Sequence, residues 1–213
     1  MDNRLVLRSG KTIFLSSNPH DIVTVMVNFC KSEYGTIKKG WVVVDVGANI
    51  GAFTVYAKES GASKILAFEP NSEAYKVLER NVRENGFQQS VEIHKRAVAF
   101  LSGQTVYIPR SSSPYNKISG QEEAQVNVEA VRTMSLEEII SQVGRVDLLK
   151  LDCEGAEYSI LLNSDKQILN KVDNIRMELH HSKKHSRKEV VDHLASSGFK
   201  VIHSVGNIFW FQR

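Results

Sequence analysis

The sequence predicts a doubly wound α/β fold, because apolar runs typical of buried strands alternate with amphipathic helical stretches. The run from Trp41 to Val46 ends in a glycine turn and leads into helical spacing, and Lys64 to Phe68 ends at Glu69-Pro70 before another helix. Repetition of strand and helix in this order is typical of a parallel sheet. The ligand crevice of such a sheet lies beyond the carboxyl ends of its strands, so candidate functional residues are expected there.

The N-terminal segment, about residues 1–38, is predicted to add a layer of hairpin and helix to one domain. Arg4 to Arg8 and Lys11 to Leu15 flank Ser9-Gly10 as the two strands of the hairpin, and an apolar-periodic helix follows from about Asp21 to Tyr34. With 213 residues and 42% hydrophobic content, the chain fits a single domain, 1–213, with one sizeable core.

The remaining strands are predicted from short apolar runs, namely Val91 to Val98, Val146 to Leu151, Val172 to Leu179, Lys200 to His203 and Ile208 to Phe211. The last two form an antiparallel hairpin turned at Gly206-Asn207. Capping-box patterns, Ser135 with Glu138 and Ser186 with Glu189, open two of the later helices. The residues placed at strand carboxyl ends are therefore Asp45, Glu69, Ala97, Asp152 and Glu178.

A polar insert, Arg110 to Glu123, interrupts this alternation. It is rich in serine and separates two extended segments, Gln104 to Ile108 and Gln125 to Val131. Structureless connections of this length in compact domains are usually functional loops or disordered segments. The insert is therefore predicted to be either a lid over a substrate or a disordered loop.

Composition narrows the class of protein. The net charge of +3, from 27 basic and 24 acidic residues, gives no general argument for a nucleic-acid partner. Cys30 and Cys153 are predicted to be reduced core residues, as in a cytoplasmic protein. The N-terminus carries charges where a signal peptide is apolar, and no long apolar run occurs, so neither a targeting segment nor a membrane span is predicted. The oligomeric state does not follow from these features.

The turn after Asp45 indicates what kind of ligand is bound. Glycines at 47 and 51 let backbone amides and a helix N-terminus approach a ligand closely. A dinucleotide fingerprint needs glycine where Asn49 stands, and the Lys-Ser or Lys-Thr pair of a P-loop is absent. The remaining pattern suits a ligand without phosphates: Asp45 accepts from an ammonium or water, the turn amides take a carboxylate, and Glu69 accepts from two ribose hydroxyls. Those are the parts of S-adenosyl-L-methionine.

Simpler roles stay open for the same residues. Asp45 would satisfy only the turn amides, Asn49 would cap the following helix, and Glu69 would be a solvated strand end.

The motifs DVGANIG, AFEP, LKLDCEGAE and MELHH occur in this order between about Gly40 and His181. Together they resemble the FkbM-type S-adenosylmethionine-dependent methyltransferases, which mostly modify hydroxyls of sugars or natural products. The resemblance implies a class I (Rossmann-like) sheet of seven mostly parallel strands with helices on both faces. The cofactor-binding residues that it implies are Asp45, Gly47, Ala48, Asn49, Gly51, Glu69, Pro70, Arg96, Ala97 and Asp152.

Methyl transfer to an alcohol requires a positioned acceptor and a group that takes the hydroxyl proton. The catalytic candidates are Asp152, Glu178 and His180, at the ends of two neighbouring strands. His180 is predicted to be the base, because an imidazole with a pKa of about 6.5 is largely neutral near pH 7. Asp152 is the rival base, or the group that orients the hydroxyl. In the simpler alternative, Glu154-Gly155 only makes a turn and His180 is a loop histidine.

The same carboxylates and histidines could hold a divalent cation. Nothing in the sequence fixes the number of ligands, so no metal is assigned.

The predicted partner is a small hydroxylated acceptor, such as a sugar or a natural product. Methylation of RNA at the ribose 2′-hydroxyl, or of a protein, is the alternative. The basic run at residues 180–188, HHSKKHSRK, would meet a phosphorylated or nucleic-acid acceptor or would simply be solvated, and the second reading is favoured. A cofactor-binding module without catalysis would be expected to lack Asp152, Glu178 or His180, and all are present.

Overall fold

A computed structural model of the chain describes residues 3–110 and 128–213. Its strands, in chain order, are β1 (Arg4–Val6), β2 (Thr12–Phe14), β3 (Val42–Val46), β4 (Lys64–Phe68), β5 (Val91–His94), β6 (Ala97–Ala99), β7 (Thr105–Pro109), β8 (Val128–Ser135), β9 (Val146–Leu151), β10 (Val172–Glu178), β11 (Lys200–Val205) and β12 (Ile208–Gln212). Its helices are α1 (Asp21–Phe29), α2 (Ala52–Glu59), α3 (Ser72–Glu84), α4 (Leu136–Val143), α5 (Glu157–Leu162), α6 (Lys166–Leu169) and α7 (Arg187–Ser196).

The central sheet has seven strands, in the order β5-β4-β3-β9-β10-β12-β11. Neighbours from β5 to β10 pair in parallel, and β12 pairs antiparallel with both β10 and β11. The predicted fold class, a mostly parallel sheet with a C-terminal antiparallel hairpin, is confirmed. Because β4, β3, β9 and β10 are adjacent and parallel, their carboxyl ends meet at one edge of the sheet.

Helices cover both faces of this sheet, because successive side chains of a strand point to opposite faces. On one face, Val44 of β3 belongs to the same core as Ile140 of α4. On the other face, Val43 belongs to a core with Phe53 of α2 and Leu78 of α3. Burying each aliphatic side chain of this kind contributes about 1.5–3 kcal/mol, so the two cores hold the sheet edge in a fixed geometry.

The predicted N-terminal hairpin is confirmed and is tied to α3. β1 and β2 pair antiparallel, and the buried side chain of Asn81 accepts from the Phe14 N–H at 2.6 Å and donates to the Phe14 carbonyl at 3.0 Å. Helix α1 ends at Phe29 rather than at Tyr34. The chain leaves the helical path soon afterwards, where Ser32 adopts a left-handed φ of 50°.

The predicted third strand, Val91 to Val98, is wrong, because it consists of two strands in different sheets. β5 ends at His94, whose carbonyl accepts from the Arg96 N–H at 2.9 Å across a tight turn. β6 then pairs with β8 in a three-stranded sheet, β6-β8-β7. Ala97 therefore begins β6 instead of ending a strand of the central sheet. The predicted polar insert lies outside the described residues from position 111 onward.

Both cysteines are free thiols, as predicted, but Cys30 is exposed and only Cys153 is partly buried. Cys30 directly follows the last residue of α1. Within residues 3–110 and 128–213, no helix has the length and apolar character needed to cross a bilayer.

Candidate functional site

A cavity of about 280 Å³ lies at the carboxyl edge of the central sheet. Helix α1, the turn after β3 and the ends of β4, β9 and β10 contribute to its wall. The sequence-predicted residues that line it are Gly47, Ala48, Asn49, Glu69, Pro70, Arg96, Ala97, Asp152, Glu178 and His180. Asp45 and Gly51 are not among the lining residues. The four sequence motifs therefore converge on one space.

Gly47 brings the turn after β3 into contact with the end of β9. It has a φ of 76°, and a Cβ at this position would lie 1.8 Å from the carbonyl oxygen of Asp152. Only glycine allows so close an approach. The other glycine of the turn has a different role, because a Cβ at Gly51 would lie 2.6 Å from Cδ1 of Leu78. Gly51 thus allows α2 to pack against α3 and does not face the cavity.

Glu69 is a buried carboxylate held by two backbone groups. Its Oε2 accepts from the Asn49 N–H at 2.8 Å, and its Oε1 accepts from the Asn71 N–H at 2.8 Å. With 7% of its surface exposed, it is not the solvated strand end that the alternative reading proposed. Burial raises the pKa of Glu69 to about 7, although the two N–H donors oppose this shift.

Asn49 does not cap helix α2. The capping position is Gly51, and no side-chain cap hydrogen bond is formed there. Asn49 instead has a left-handed φ of 50°, lines the cavity, and links the glycine turn to Glu69 through its N–H. Asparagine tolerates this conformation better than most residues.

The ammonium that Asp45 faces in the structure belongs to Lys150 and not to a ligand. Asp45 Oδ1 lies 3.1 Å from Lys150 Nζ, and its Oδ2 accepts from the Thr54 hydroxyl at 2.7 Å. Asp45 is completely buried, so its predicted direct contact with a ligand is not what the structure shows. Asp45 acts on the cavity through Lys150, which does line it.

Lys150 is a residue that the sequence reasoning missed. Its Nζ donates to the Gly47 carbonyl at 2.8 Å and lies 3.8 Å from Asp152 Oδ2. Burial alone would lower the pKa of Lys150, but Asp45 and Asp152 outweigh burial and raise it, so the side chain is cationic. A single lysine inside an apolar strand is a sequence signal for such a paired charge.

Tyr34 was also missed, because no sequence signal links it to the site. Its hydroxyl donates to Asp152 Oδ2 at 2.9 Å, across 118 residues of chain. The backbone around it is held by the C-terminal strands, since the buried Arg176 guanidinium donates to the Tyr34 and Thr36 carbonyls. Trp210 Nε1 also donates to the Glu33 carbonyl at 3.0 Å.

His180 lies among carboxylates at the far end of the cavity. Its Nδ1 is 3.1 Å from Oε1 of the buried Glu157, and its Nε2 is 3.5 Å from Glu154 Oε2 and 3.9 Å from Glu178 Oε1. These contacts hold the ring in place, so His180 is not a free loop histidine. Glu154-Gly155 does form the turn before α5, as the simpler reading proposed, and Glu154 lines the cavity as well.

The carboxylates change the expected protonation of His180. Burial alone would lower the pKa of His180, but the bond to Glu157 and the charges of Glu157, Glu154 and Asp152 raise it to about 9. The ring is therefore an imidazolium near pH 7, and the prediction of a neutral histidine base does not fit this environment. Burial and neighbouring carboxylates also raise the pKa of Glu154 to about 7 and that of Glu178 above its ordinary value.

The opposite end of the cavity is more apolar. Arg96 and Ala97 border it together with Val98 and Ile108. The Arg96 side chain is exposed, and its N–H is already bonded to the His94 carbonyl. Apart from Arg96, this end offers apolar contact.

The fold and the cavity together define a Rossmann-like α/β protein of the class I methyltransferase type. In fold it is similar to magnesium protoporphyrin IX methyltransferase from Synechocystis, which was solved with bound S-adenosylhomocysteine (SAH). The TM-score is 0.51 at 10% identity, and the match covers 91% of this chain and 82% of that one. The model of the FkbM methyltransferase domain matches residues 45–201. The chain belongs to the FkbM methyltransferase family, and the resemblance seen in its motifs is confirmed.

Two curated relatives agree with this assignment. The chain is 30% identical over 163 residues to Methyltransferase 1 of Beauveria bassiana, covering 66% of this chain and 65% of the relative. It is 29% identical over 168 residues to Methyltransferase sdnD of Sordaria araneosa, covering 64% and 65%. The chain thus spans slightly under two thirds of the length of either relative.

Proposed function

We propose that the chain is an S-adenosylmethionine-dependent O-methyltransferase that acts on a hydroxyl of a small acceptor such as a sugar or a natural product. One observation carries this proposal. The cavity joins a wall suited to a nucleoside without phosphates, formed by Gly47 to Asn49 and Glu69, to a wall of carboxylates at the ends of β9 and β10.

The first wall fits the parts of S-adenosylmethionine. Both oxygens of Glu69 are held by backbone donors, and the lone pairs that remain suit the two ribose hydroxyls. Val98 and Ile108 offer apolar contact to an adenine ring. The turn at Gly47 and Ala48 lies at the other side of Glu69, towards Asp152, where the amino-acid end would be held. When bound, the cofactor supplies an electrophilic methyl group on a sulfonium.

The second wall orients the acceptor and takes its proton. Asp152 is fixed by Tyr34 and Lys150 beside the glycine turn, so it is suited to orient the acceptor hydroxyl. Glu154 also lines the cavity, and its closest charged neighbour is His180 at 3.5 Å, which leaves its lone pairs open to the acceptor. With the cofactor bound, the O–H proton would pass to Glu154 as the acceptor oxygen takes the methyl group, and the products would be the methyl ether and S-adenosylhomocysteine. Glu178 and His180 complete this wall.

The carboxylate wall favours a neutral or cationic acceptor. Without a bound metal ion, the carboxylates of Glu33, Asp152, Glu154 and Glu178 outnumber the cations of Lys150 and His180 along the cavity, which disfavours a phosphate group. This argues for a small hydroxylated molecule over RNA. The basic run after His180 is exposed from Lys183 to Lys188 and does not contribute to the lining.

Calorimetry with S-adenosylmethionine, S-adenosylhomocysteine and NAD tests the cofactor. We expect both sulfur compounds to bind, and Glu69→Gln to weaken them by about 10-fold or more, because charge-assisted bonds to the ribose are lost. Tight binding of NAD without a response to S-adenosylhomocysteine would contradict the proposal.

Transfer of labelled methyl groups into sugars, glycolipids, other small alcohols and RNA tests the acceptor. We expect incorporation into a small alcohol and a loss of about 10²-fold or more in turnover for Glu154→Gln, with cofactor binding retained. Incorporation into RNA alone would favour the ribose reading instead.

A further inference from the structure

Three side chains from the ends of β9 and β10 converge on one point of the cavity. Asp152, Glu178 and His180 each place one ligand atom within 4.8 Å of the others. Metal–ligand bonds of about 2.0–2.6 Å separate opposite ligands by about 4.0–5.2 Å, so one ion fits this spacing. The sequence could not fix the number of ligands, whereas the structure brings three candidate ligand atoms together.

The orientation of the histidine is the second observation. Nδ1 of His180 faces Glu157, which is completely buried and lies outside the three ligands, so Nε2 is turned toward Glu178 and Glu154. A histidine that binds a metal usually donates its other ring N–H to a carboxylate in this way, which fixes its tautomer and ring position. Glu157 itself is anchored, because its Oε1 accepts from the Cys153 N–H at 2.8 Å.

The charge of this region also favours a divalent cation, because the single charge of the His180 imidazolium faces several carboxylates. Glu33, Asp152, Glu154 and Glu178 line the cavity, and Glu157 lies directly behind the histidine. Lys150 does not balance them, because Asp45 already lies 3.1 Å from its ammonium. Oε2 of Glu157 is buried without a hydrogen-bond partner among the described residues, so further negative charge lies next to the histidine.

We propose that Asp152, Glu178 and His180 bind one divalent first-row transition-metal ion, for which Mn²⁺ is the probe. Carboxylate oxygens suit Mg²⁺, Ca²⁺ and Mn²⁺, whereas an imidazole nitrogen selects the transition metals, so the mixed set favours the latter. Three protein ligands leave coordination positions open. An acceptor hydroxyl in one of them would be oriented and made more acidic, with Glu154 beside it to take the proton. This last role rests on the proposed function, whereas binding of the ion does not.

Titration of the chelator-treated full chain with Mn²⁺, followed by electron paramagnetic resonance of the free ion, tests the site without donor or acceptor. We expect one ion per chain, with Mn²⁺ and Co²⁺ bound at least about 10-fold more tightly than Mg²⁺. His180→Gln and Glu178→Gln should weaken binding by about 10-fold or more, and Glu157→Gln by about 10–100-fold through loss of the bond that orients the ring.

Glu33→Gln is the matched control. It removes one negative charge from the same cavity but none of the three ligands, so Mn²⁺ affinity should change by less than about 3-fold. Thermal unfolding of each variant without metal shows whether weaker binding reflects loss of a metal ligand or loss of the folded structure. A variant that unfolds at a markedly lower temperature than the wild type is replaced by Glu178→Ala or Asp152→Asn. Two results with Mn²⁺ would overturn the proposal: an equal loss of Mn²⁺ affinity in Glu33→Gln and Glu178→Gln, or equal affinity of the wild type for Mn²⁺ and Mg²⁺. Tighter binding of an organic amine than of Mn²⁺ would overturn it as well. A chain that binds Mn²⁺ as described but transfers no methyl group would contradict only the proposed function.

Discussion

Lys150 connects three parts of the site through a single ammonium group. It bonds the Gly47 carbonyl in the glycine turn, pairs with Asp45 beneath that turn, and faces Asp152 at the carboxylate wall. Buried ion pairs of this kind add little net stability, but removal of one partner leaves the other charge unpaired in a nonpolar interior. Lys150 therefore fixes the relative position of the glycine turn and the carboxylate wall.

Lys150→Met is expected to lower the free energy of unfolding by about 3–5 kcal/mol, because Asp45 is left completely buried without its counter-charge. Urea denaturation measures this loss. Lys188→Met is the matched control: Lys188 pairs with Asp192 at 2.5 Å on the surface, and its loss should change stability by less than about 1 kcal/mol. Similar losses in both variants would show that Asp45 does not depend on Lys150.

Gly47→Ala separates backbone strain from steric exclusion when it is compared with Gly86→Ala. Both glycines are left-handed, with φ of 76° and 74°, but a Cβ at 86 meets nothing within 4 Å while a Cβ at 47 meets the Asp152 carbonyl. Gly86→Ala should cost about 1 kcal/mol of stability and leave cofactor affinity unchanged. Gly47→Ala should lower stability several-fold more than Gly86→Ala and should weaken S-adenosylhomocysteine binding in calorimetry. Equal losses of stability in the two variants would contradict the close contact at Gly47.

Among the secondary-structure elements, those with strong local signals were predicted well. β4 and β9 have the predicted bounds, and Ser186 forms the capping box that opens α7. The break after β5 was missed because the segment from Val91 to Val98 begins and ends with apolar residues, although their alternation with polar residues stops at Lys95. The position of that turn is set by the pairing of β6 with β8, which lies more than 30 residues later in the chain. The sequence around the turn does not reveal this pairing.

The segment after α1 contributes Tyr34 to the carboxylate wall, and Tyr34→Phe tests whether this contact matters for methyl transfer. The variant keeps the buried ring but removes the donor to Asp152, a bond to a charged group that is worth about 1.5–3 kcal/mol. We expect turnover to fall by about 10–100-fold, with the affinity for S-adenosylhomocysteine unchanged. Tyr56→Phe is the control, because that hydroxyl donates only to the Gly35 carbonyl, at 3.0 Å. A fall in turnover of the same size for Tyr56→Phe would show that the effect is structural.

At the scale of the whole molecule, the sheet order places the glycine turn, Glu69 and the carboxylate wall at one edge. The motifs predicted which residues meet there, since parallel strands bring their carboxyl ends together. They did not predict the partners, because Asp45 and Lys150 are far apart in sequence, and Tyr34 meets Asp152 across 118 residues. The protonation of His180 was wrong for the same reason, since it depends on Glu157 and Glu154 from another element.

Glu69 makes the stability of the whole molecule depend on pH in a defined direction. Burial raises its pKa from 4.5 to about 7 in the folded protein. Between these values the folded state holds a proton that the unfolded state has released, so stability falls as the pH rises from about 4.5 to 7. The shift corresponds to a loss on the order of 3 kcal/mol, complete above about pH 7.

Urea denaturation of the wild type and of Glu69→Gln at pH 5 and pH 8 isolates this contribution, because all other titrating groups are shared. Glutamine mimics the protonated side chain, so the stability of the variant relative to the wild type should increase by a few kcal/mol from pH 5 to pH 8. A difference between the two proteins that stays constant with pH would contradict the raised pKa. S-adenosylhomocysteine should also bind the wild type more tightly at pH 8 than at pH 6, because its ribose hydroxyls donate best to an ionised carboxylate.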